Sequence, residues 1–369
     1  MHLRRVPPPD VADHVASLTP YHPGKPIAEV KRELGIEDVV KLASNENALG
    51  PSQKAIAAVE RAVWDSHLYP EGSCHDLRHA LAEHLGADPD RLAFGNGSDE
   101  IIHLLGLAYL SPGDELLQAD PTFTRYEAAA TLNRATCVKA PLRDWSYDVE
   151  AMVHSLSAKT RLIFVANPNN PTGAYLDARD TERLMSSVPD RCVVCFDEAY
   201  FEFADAPNYP DTVSLVRANM NVVVLRTFSK VYGLAGLRIG YAVARPEIIA
   251  ALEQVREPFN VNSLAQAAAL AALQDTDHVR KSREMVVRGK RRLEEDLGSL
   301  GLGVYPSQGN FLWVDARRES RELFAQLLRR GVIVRTGDIF GAPTCLRITV
   351  GLPEQNARLI EALREVLST

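Results

Sequence analysis

The sequence predicts an α/β protein, in which strands alternate with helices around a mostly parallel sheet. Three short runs rich in β-branched residues follow one another in the middle of the chain, at 161–166, 192–196 and 222–226. The last two are almost entirely apolar, which is typical of strands buried on both faces of a sheet. The segment 177–188 has a helical pattern, and this alternation of strand and helix favours parallel pairing.

The last hundred residues predict a second, smaller α/β unit. A long helical pattern over 263–298 is interrupted near 275–277. It is followed by further elements, namely a strand at 311–314, a helix at 320–330, short strands at 332–334 and 346–350, and a closing helix at 353–367. A segment with one proline and two asparagines, 257–262, precedes this region. We therefore predict three parts: an N-terminal arm (1–43) that belongs to the small domain, a large domain (44–258) and a small C-terminal domain (259–369).

Composition and charge exclude several classes of function. Of the 369 residues 46% are hydrophobic and 24% are charged, and the formal net charge is −7. An acidic chain of this kind is a poor binder of polyanions, so we expect no nucleic acid partner. No apolar run approaches the length of a membrane span, so we expect no membrane partner. The five cysteines are odd in number and scattered, which favours a reducing compartment and predicts a cytoplasmic protein.

Common catalytic and metal-binding motifs are absent. The sequence contains no G-x-x-x-x-G-K-[ST], H-E-x-x-H or G-x-S-x-G, and Gly95-Asn-Gly97 lacks the third glycine of a dinucleotide fingerprint. A nicotinamide-dependent dehydrogenase is therefore disfavoured. His75 and His79 stand four residues apart beside Cys74, but no further ligand follows at a regular spacing. We interpret them as one face of a solvated helix and predict no metal site.

Polar residues follow each of the three central strands directly. Asn170 lies in the loop after the first strand, Asp197 and Tyr200 follow the second, and Lys230 follows the third. The carboxyl ends of parallel strands meet at one edge of a sheet, so these side chains are predicted to share one ligand crevice. Asp197 and Lys230 each come after an apolar run. We expect both to be partly buried, which requires a partner or an altered protonation state.

Four signatures in this order resemble the fold-type I aminotransferases, which depend on pyridoxal 5′-phosphate (PLP): Asn-Asn-Pro-Thr-Gly at 169–173, Asp-Glu-Ala-Tyr at 197–200, Ser-Lys at 229–230 and Gly-Leu-Arg at 236–238. Two further segments, Ser-Asn-Glu-Asn-Ala-Leu-Gly-Pro at 44–51 and Leu-Arg-Ile-Thr-Val-Gly at 346–351, resemble the members that act on histidinol phosphate. The resemblance extends from about residue 21 to the C-terminus. It implies transamination of L-histidinol phosphate with 2-oxoglutarate, which yields imidazole acetol phosphate and L-glutamate in histidine biosynthesis.

The resemblance also implies roles for the residues of the crevice. Lys230 would form the Schiff base with PLP and then act as general base, because burial and nearby cations lower the pKa of an amine. Asp197 would keep the pyridine nitrogen protonated. Asn170 and Tyr200 would donate hydrogen bonds to the phenolic oxygen. Phe123 would stack on the pyridine ring.

The phosphate of PLP would be held by a second group of residues. They are Ser98, Asp99, Thr227, Ser229 and Arg238, of which Arg238 offers a bidentate fork. We predict that Ser98 is the N-cap of a helix over 101–110, where free N–H groups favour an anion. Asp99 could contribute only its backbone N–H. Tyr69 matches a tyrosine that reaches the phosphate of the neighbouring subunit, which implies a homodimer with a shared active site.

The substrate would contact a third group. Arg335 and Arg347 match two arginines that bind anionic substrate groups, and Tyr21 and Asn310 are further candidates. An aromatic amino-acid aminotransferase and a threonine-phosphate decarboxylase of the same fold stay open as alternatives. The effector domain of a transcription regulator is disfavoured, because no helix-turn-helix pattern occurs in the residues before Ser44.

Overall fold

The computed structural model describes residues 10–20 and 24–368. The strands, in chain order, are β1 (Val40–Lys41), β2 (Leu92–Gly95), β3 (Glu115–Asp120), β4 (Thr136–Pro141), β5 (Thr160–Ala166), β6 (Val193–Asp197), β7 (Val222–Thr227), β8 (Gly240–Ala244), β9 (Gly303–Tyr305), β10 (Phe311–Asp315), β11 (Val332–Ile333), β12 (Arg335–Thr336) and β13 (Cys345–Thr349). The α-helices are α1 (Asp13–Ala16), α2 (Ile27–Leu34), α3 (Gln53–Ala62), α4 (His75–Leu85), α5 (Ser98–Tyr109), α6 (Arg125–Leu132), α7 (Val149–His154), α8 (Ala178–Met185), α9 (Thr212–Arg217), α10 (Pro246–Val255), α11 (Ser263–Leu273), α12 (Thr276–Ser299), α13 (Ser320–Leu328) and α14 (Pro353–Leu367).

The largest sheet has seven strands in the order β2-β8-β7-β6-β5-β3-β4. The five strands from β4 to β7 are mutually parallel, whereas β8 is antiparallel to both β7 and β2. Helices cover both faces, since the buried side chains of the sheet belong to two separate apolar clusters. The predicted α/β architecture with a mostly parallel sheet is therefore confirmed.

The three central strands lie where the sequence predicts them, to within one residue at each end. Every residue of β6 and β7 is buried, as the continuous apolar runs require. β5 and β6 pair so that Ala166 stands beside Asp197, and Asp197 in turn stands beside Leu225 of β7. Asp197 and Thr227 are the last residues of their strands, so their side chains lie at the carboxyl edge of the sheet.

The start of α5 differs from the prediction. Ser98 is the first helical residue, and the N-cap is Gly97, whose φ of +78° favours glycine. A Cβ on Gly97 would stand 2.4 Å from Nη2 of Arg238, and a Cβ on Gly240 would stand 2.5 Å from the backbone nitrogen of Ser98. This close packing fixes glycine at the cap position and places Ser98 inside the helix. The prediction that Ser98 is the N-cap was therefore wrong.

The smaller sheet has four antiparallel strands in the order β12-β13-β10-β9, and β1 and β11 form a separate parallel pair. The predicted strand at 332–334 corresponds to β11, which pairs with β1, whereas β12 is a separate strand just after it that pairs with β13. Helices α12, α13 and α14 pack with this part of the chain around one apolar cluster, which includes Leu293, Leu323 and Leu359. The predicted interruption of the long helix is present between α11 and α12.

The N-terminal segments pack in two different places. Helix α1 contacts α6, while Val40 and Leu42 belong to the apolar cluster of the smaller sheet. Helix α11 packs against α3 and α4, beside the large sheet. The division into an arm, a large domain and a small domain stays a prediction.

Among the described residues, no helix combines the length and apolar character that crossing a membrane requires.

Candidate active site

A cavity of about 550 Å³ lies between the carboxyl edge of the seven-stranded sheet and the strands β12 and β13. This volume suits a drug-sized ligand. Most of the residues that the sequence predicts for the site line this cavity, namely Ser98, Asp99, Phe123, Asn170, Asp197, Tyr200, Thr227, Ser229, Lys230, Arg238, Arg335 and Arg347. The cavity therefore joins elements that are far apart in the chain.

Lys230 lies three residues after β7 and is half-buried. Its Nζ donates a hydrogen bond of 3.1 Å to the backbone oxygen of Ser44. Removal from water and, after it, the neighbouring charge of Arg347 lower the pKa of Lys230 to about 8. About a tenth of this amine is therefore unprotonated at pH 7, far more than at the ordinary lysine pKa, and a nucleophile or a general base requires this form.

Asp197 is buried at the end of β6. Its Oδ2 accepts a hydrogen bond of 2.7 Å from the Tyr126 hydroxyl, and its Oδ1 accepts one of 3.2 Å from the backbone N–H of Ala199. Burial raises the pKa of Asp197 to about 6, although these two hydrogen bonds oppose the rise. Among the residues that the structure describes, no lysine, arginine or histidine forms an ion pair with this carboxylate.

Tyr126 and Tyr200 are held by packing as well as by hydrogen bonds. The ring of Tyr126 is stacked on Phe164, with 4.4 Å between centroids and 3° between planes. The Tyr200 hydroxyl accepts a hydrogen bond of 2.9 Å from Nδ2 of Asn45, and its ring meets Phe311 edge to face. A hydroxyl that accepts still carries its own O–H donor. Both phenols are therefore fixed at the cavity wall.

One end of the cavity is built to hold an anion. Ser98 and Asp99, the first residues of α5, line this end, and the first N–H groups of a helix have no acceptor within the helix. Thr227 and Ser229 line it from the loop after β7, where the Thr227 hydroxyl accepts from the backbone N–H of Ser229. The guanidinium of Arg238 passes directly over Gly97, and its Nη1 donates to the oxygen of Ala235 at 3.2 Å.

The carboxylate of Asp99, beside this end of the cavity, is paired with an arginine. Its Oδ1 accepts from Nε of Arg125 at 2.8 Å, and Arg125 also lines the cavity. Asp99 lies in the first turn of α5, where an acidic side chain interacts favourably with the helix dipole. The expectation that only its backbone could bind an anion stays a prediction.

The opposite end of the cavity is strongly cationic. Arg335 of β12 and Arg347 of β13 face each other as a cross-strand pair. Like charges in this register repel, so an anion between them would be stabilised by both. Nη1 of Arg347 donates to Oδ1 of Asn170, and its Nη2 donates to the oxygen of Ala43 at 2.6 Å. The amide oxygen of Asn170 is thereby fixed towards Arg347, which leaves its NH₂ group to face elsewhere.

Two of the predicted residues that the structure describes are not among those that line the cavity. Asn310 is buried behind it, and its Nδ2 donates to the backbone oxygen of Asn45 at 3.1 Å. Tyr69 is 84% exposed and stacks on Phe259 with 4.8 Å between centroids. Tyr21 lies outside the described residues. Within the described ranges, no cluster of three or more His, Cys, Asp or Glu side chains forms a metal site.

Sequence reasoning missed four residues that line or support the cavity: Asn45, Glu46, Arg125 and Tyr126. Asn45 has a positive φ of 54° and is bonded on three sides, to Tyr200, to Thr349 and to Asn310. Asn45 and Glu46 lie in the segment 44–51 that carries part of the family resemblance, and Arg125 and Tyr126 follow Phe123 within three residues. These positions were the available signal, but the sequence does not tell which way each side chain points.

Comparisons with known proteins agree with this geometry. The family model "Aminotransferase class I and II" matches residues 37–363. A histidinol-phosphate aminotransferase of Moorella thermoacetica is 52% identical over 361 residues, which cover 98% of this chain and 94% of that protein. One from Anaeromyxobacter sp. is 49% identical over 97% of this chain and 99% of that protein.

Solved structures are similar over almost the whole chain. The histidinol-phosphate aminotransferase from Sinorhizobium meliloti, in complex with pyridoxal-5′-phosphate, has a TM-score of 0.90 at 28% identity and covers 97% of each chain. Thermus thermophilus aspartate aminotransferase with maleate has a TM-score of 0.84 at 23% identity, over 97% of this chain and 99% of that one. The second likeness concerns the fold alone.

Proposed function

The chain belongs to the class I and II aminotransferase family and is a PLP-dependent enzyme of fold-type I, and from this premise we propose that it transfers the amino group of L-histidinol phosphate to 2-oxoglutarate. The products are imidazole acetol phosphate and L-glutamate, and the step belongs to histidine biosynthesis. The observation that carries the proposal is the union, in one cavity, of the Lys230 amine, the buried Asp197 carboxylate and the facing arginines 335 and 347.

The residues of the cavity fit PLP. The Asp197 carboxylate is buried with hydroxyl and amide donors but without a cationic partner in the described chain, so a protonated pyridine nitrogen would complete it. The packing of Arg238 over Gly97 leaves no room for a Cβ and builds a cradle of backbone N–H groups for a phosphate. When bound, PLP supplies a carbonyl carbon that bonds to amines and a ring that withdraws electrons.

Lys230 performs two tasks in this proposal. Its amine would hold the carbonyl carbon of the cofactor until the amine of the substrate displaces it. The released Nζ would then take the proton from the substrate Cα, because a pKa of about 8 lets the amine accept and return a proton near neutral pH. Reduction of the holoenzyme with borohydride, followed by peptide mass spectrometry, should place the pyridoxyl adduct on Lys230. An adduct on another lysine would overturn this assignment.

The other residues of the cavity would orient and hold the cofactor. The NH₂ group of Asn170 would donate to the phenolic oxygen, since its amide oxygen is engaged with Arg347, and the hydroxyl of Tyr200 would bond to the same oxygen. Phe123 would stack on the ring. Ser98, the backbone N–H of Asp99, Thr227, Ser229 and Arg238 would hold the phosphate. These contacts fix the ring relative to Lys230.

Substrate selection is assigned to Arg335 and Arg347. Each guanidinium can bind a phosphate or a carboxylate through two hydrogen bonds. The same pair would hold the phosphate of histidinol phosphate and, in the second half of the reaction, a carboxylate of 2-oxoglutarate. Asn310, which does not reach the cavity, would act by fixing the backbone of Asn45.

The test compares amine donors at a fixed concentration of 2-oxoglutarate. We expect kcat/KM for L-histidinol phosphate to exceed that for L-phenylalanine at least about a hundredfold, because the facing arginines are left without an anion of phosphate geometry when phenylalanine binds. Threonine phosphate should release no carbon dioxide. Equal or better turnover of phenylalanine, or decarboxylation of threonine phosphate, would overturn the substrate assignment while leaving the family unchanged.

We further propose that the enzyme is a homodimer in the cytoplasm and that Tyr69 reaches the cofactor phosphate of the partner subunit. Support comes from an exposed apolar surface formed by Val63, Trp64, Leu68, Tyr69 and Phe259, in which Trp64 is 81% exposed. Apolar side chains gathered in this way mark an interaction site, and a second copy of the chain is the proposed occupant.

Mixed dimers test the shared site. We expect Tyr69→Ala and Lys230→Ala to be nearly inactive separately, whereas an equal mixture that exchanges subunits regains about a quarter of the wild-type activity. The reason is that each mixed dimer contains one site with a native Lys230 and a native Tyr69 from its partner. A monomer in sedimentation analysis, or no regain of activity after proven exchange, would overturn the proposal.

A further inference from the structure

Three carboxylates line the cavity in the described part of the chain, and one of them has no assigned task. Asp99 is paired with Arg125, and Asp197 is bonded to Tyr126. The third is Glu46. Its Oε1 accepts from Nζ of Lys41 at 2.7 Å, but Lys41 is not among the residues that line the cavity. Glu46 is therefore an anionic group in a cavity whose other charged lining is mostly cationic.

The position of Glu46 is fixed relative to the reacting amine. The backbone oxygen of Ser44, two residues earlier, accepts from Nζ of Lys230 at 3.1 Å. Nδ2 of Asn310 donates to the backbone oxygens of both Asn45 and Glu46, at 3.1 and 3.5 Å. One residue later, Nδ2 of Asn47 donates to the backbone oxygen of Val231 at 2.7 Å. A backbone held this tightly gives the side chain of Glu46 a defined location on the cavity wall.

The proposed substrate contains an imidazole ring, to which the two arginines cannot offer a hydrogen-bond acceptor. Arg335 and Arg347 carry only donors, so they bind the phosphate and repel an imidazolium. The imidazole ring presents an N–H, which needs an acceptor when binding removes it from water. A carboxylate has about four acceptor positions, and the bond from Lys41 to Oε1 leaves positions on Oε2.

We propose that Glu46 determines specificity by accepting a hydrogen bond from the imidazole N–H of the amine donor. The inference rests on the proposed function, because it names the group of L-histidinol phosphate that this carboxylate recognises. Glutamate and 2-oxoglutarate have no such donor, so Glu46 contributes nothing to their binding. One cavity thus serves two amine donors: the arginine pair binds the anionic end of each, and Glu46 binds only the imidazole.

The test is Glu46→Gln in the PLP-loaded enzyme, with two amine donors that differ by a single group. They are L-histidinol phosphate and (S)-2-aminopropyl phosphate, which has the same amine and phosphate but no imidazole. Lys41 should hold the amide oxygen of the new glutamine, which turns its NH₂ group towards the substrate N–H. We expect kcat/KM for L-histidinol phosphate to fall about ten- to a hundredfold, and that for 2-aminopropyl phosphate to change less than about twofold.

Glu37→Gln is the matched control. Glu37 is exposed and pairs with Lys31 at 3.4 Å on the surface, so the same chemical change there should leave both substrates unaffected. The half-reaction with L-glutamate should also keep its rate in Glu46→Gln.

Two results would overturn the inference. An equal fall for both phosphate substrates and for glutamate would mean that Glu46 supports Lys230 rather than the imidazole. No fall for either substrate would mean that the carboxylate does not contact the substrate. A wild-type enzyme without activity on L-histidinol phosphate would be distinct from both, since it would overturn the proposed function itself, and this inference with it.

Discussion

The two walls of the cavity differ in how the chain builds them. The cofactor wall consists of the loops after β5, β6 and β7, with Asn170, Asp197, Tyr200 and Lys230. The substrate wall consists of Arg335 and Arg347 with the segment 43–46. Each residue of the cofactor wall is placed by the strand that it follows. The substrate wall is placed by contacts between distant residues, such as that of Asn45 with Thr349, 304 positions away.

The walls also differ in their electrostatics. On the cofactor wall burial lowers the pKa of Lys230 to about 8 and raises that of Asp197 to about 6, so both groups titrate near neutral pH. On the substrate wall two positively charged guanidinium groups face each other as a cross-strand pair. In the proposed function the cofactor wall acts in the chemical step, whereas the substrate wall acts in selection.

The largest expected effect is on the cofactor wall. Lys230→Ala should lower transamination at least about 10⁴-fold, because the variant loses both the amine that holds the cofactor and the base. The protein should still bind PLP, which an absorbance titration would show. Lys159→Ala, a change of an exposed lysine, is the matched control. Substantial transamination by Lys230→Ala would remove the central role of this residue and with it the distinction between the walls.

A second change on the same wall should have a smaller effect. Asp197→Asn keeps a hydrogen-bonding side chain at the end of β6 but removes its charge, so the pyridine nitrogen is no longer held protonated. We expect kcat to fall about 10²- to 10³-fold, with a changed absorbance spectrum of the bound cofactor. Asp190→Asn, on the exposed surface, should leave both unchanged. A variant with a normal kcat would show that the buried charge does not take part in the reaction.

A change on the substrate wall should lower activity without changing the binding of the cofactor, and so should separate the two walls in function. Arg335→Gln should lower kcat/KM for L-histidinol phosphate about ten- to a hundredfold, mostly through KM, because one of two guanidinium groups that bind the phosphate is lost. The affinity for PLP, measured by fluorescence titration, should change less than about twofold. Arg329→Gln is the exposed control. A large loss of PLP affinity in Arg335→Gln would mean that the walls are not separate in function.

The difference between the walls also explains what the sequence could predict. The three central strands were predicted to within one residue, and Asn170, Asp197, Tyr200 and Lys230 follow from them, because a buried strand fixes the place of the residue after it. Arg335 and Arg347 could be assigned only by resemblance, since the pairing of β12 with β13 is not encoded in either segment alone.

The wrong and missed predictions have the same origin, namely contacts between residues that are distant in the chain. Ser98 was assigned to the wrong position of α5 because the packing of Arg238 and Gly240 against Gly97 is a tertiary contact. Asn310 was expected in the cavity, but it lies just before β10 and its amide donates to the backbone of Asn45. Tyr126 was missed although it lies three residues after Phe123, because the sequence gives the position of a side chain and not its direction.

The smallest effect is expected for Tyr126, because it belongs to the cofactor wall but acts only through Asp197. Its O–H favours the ionised carboxylate and so opposes the rise in the pKa of Asp197 that burial causes. In Tyr126→Phe the pKa of Asp197 should rise further. An acid whose pKa is higher in the folded protein than in the unfolded chain stabilises the fold below its unfolded pKa, and this stability is lost as the pH rises through the folded value.

For Tyr126→Phe we therefore expect two results. In the PLP-free protein, the contribution of Asp197 to the free energy of unfolding should fall between about pH 4 and pH 6 in the wild type, and over a range that extends to higher pH in the variant, so that the difference in unfolding free energy between the two proteins changes with pH. In the holoenzyme, the acid limb of the kcat profile should move to higher pH, so that kcat falls about three- to tenfold at pH 6 and less than about twofold at pH 8. Tyr147→Phe is the matched control, since its hydroxyl donates to the backbone oxygen of Ala166 and not to Asp197. A loss of kcat that is the same at every pH would show that Tyr126 supports the structure of the wall without controlling the charge of Asp197.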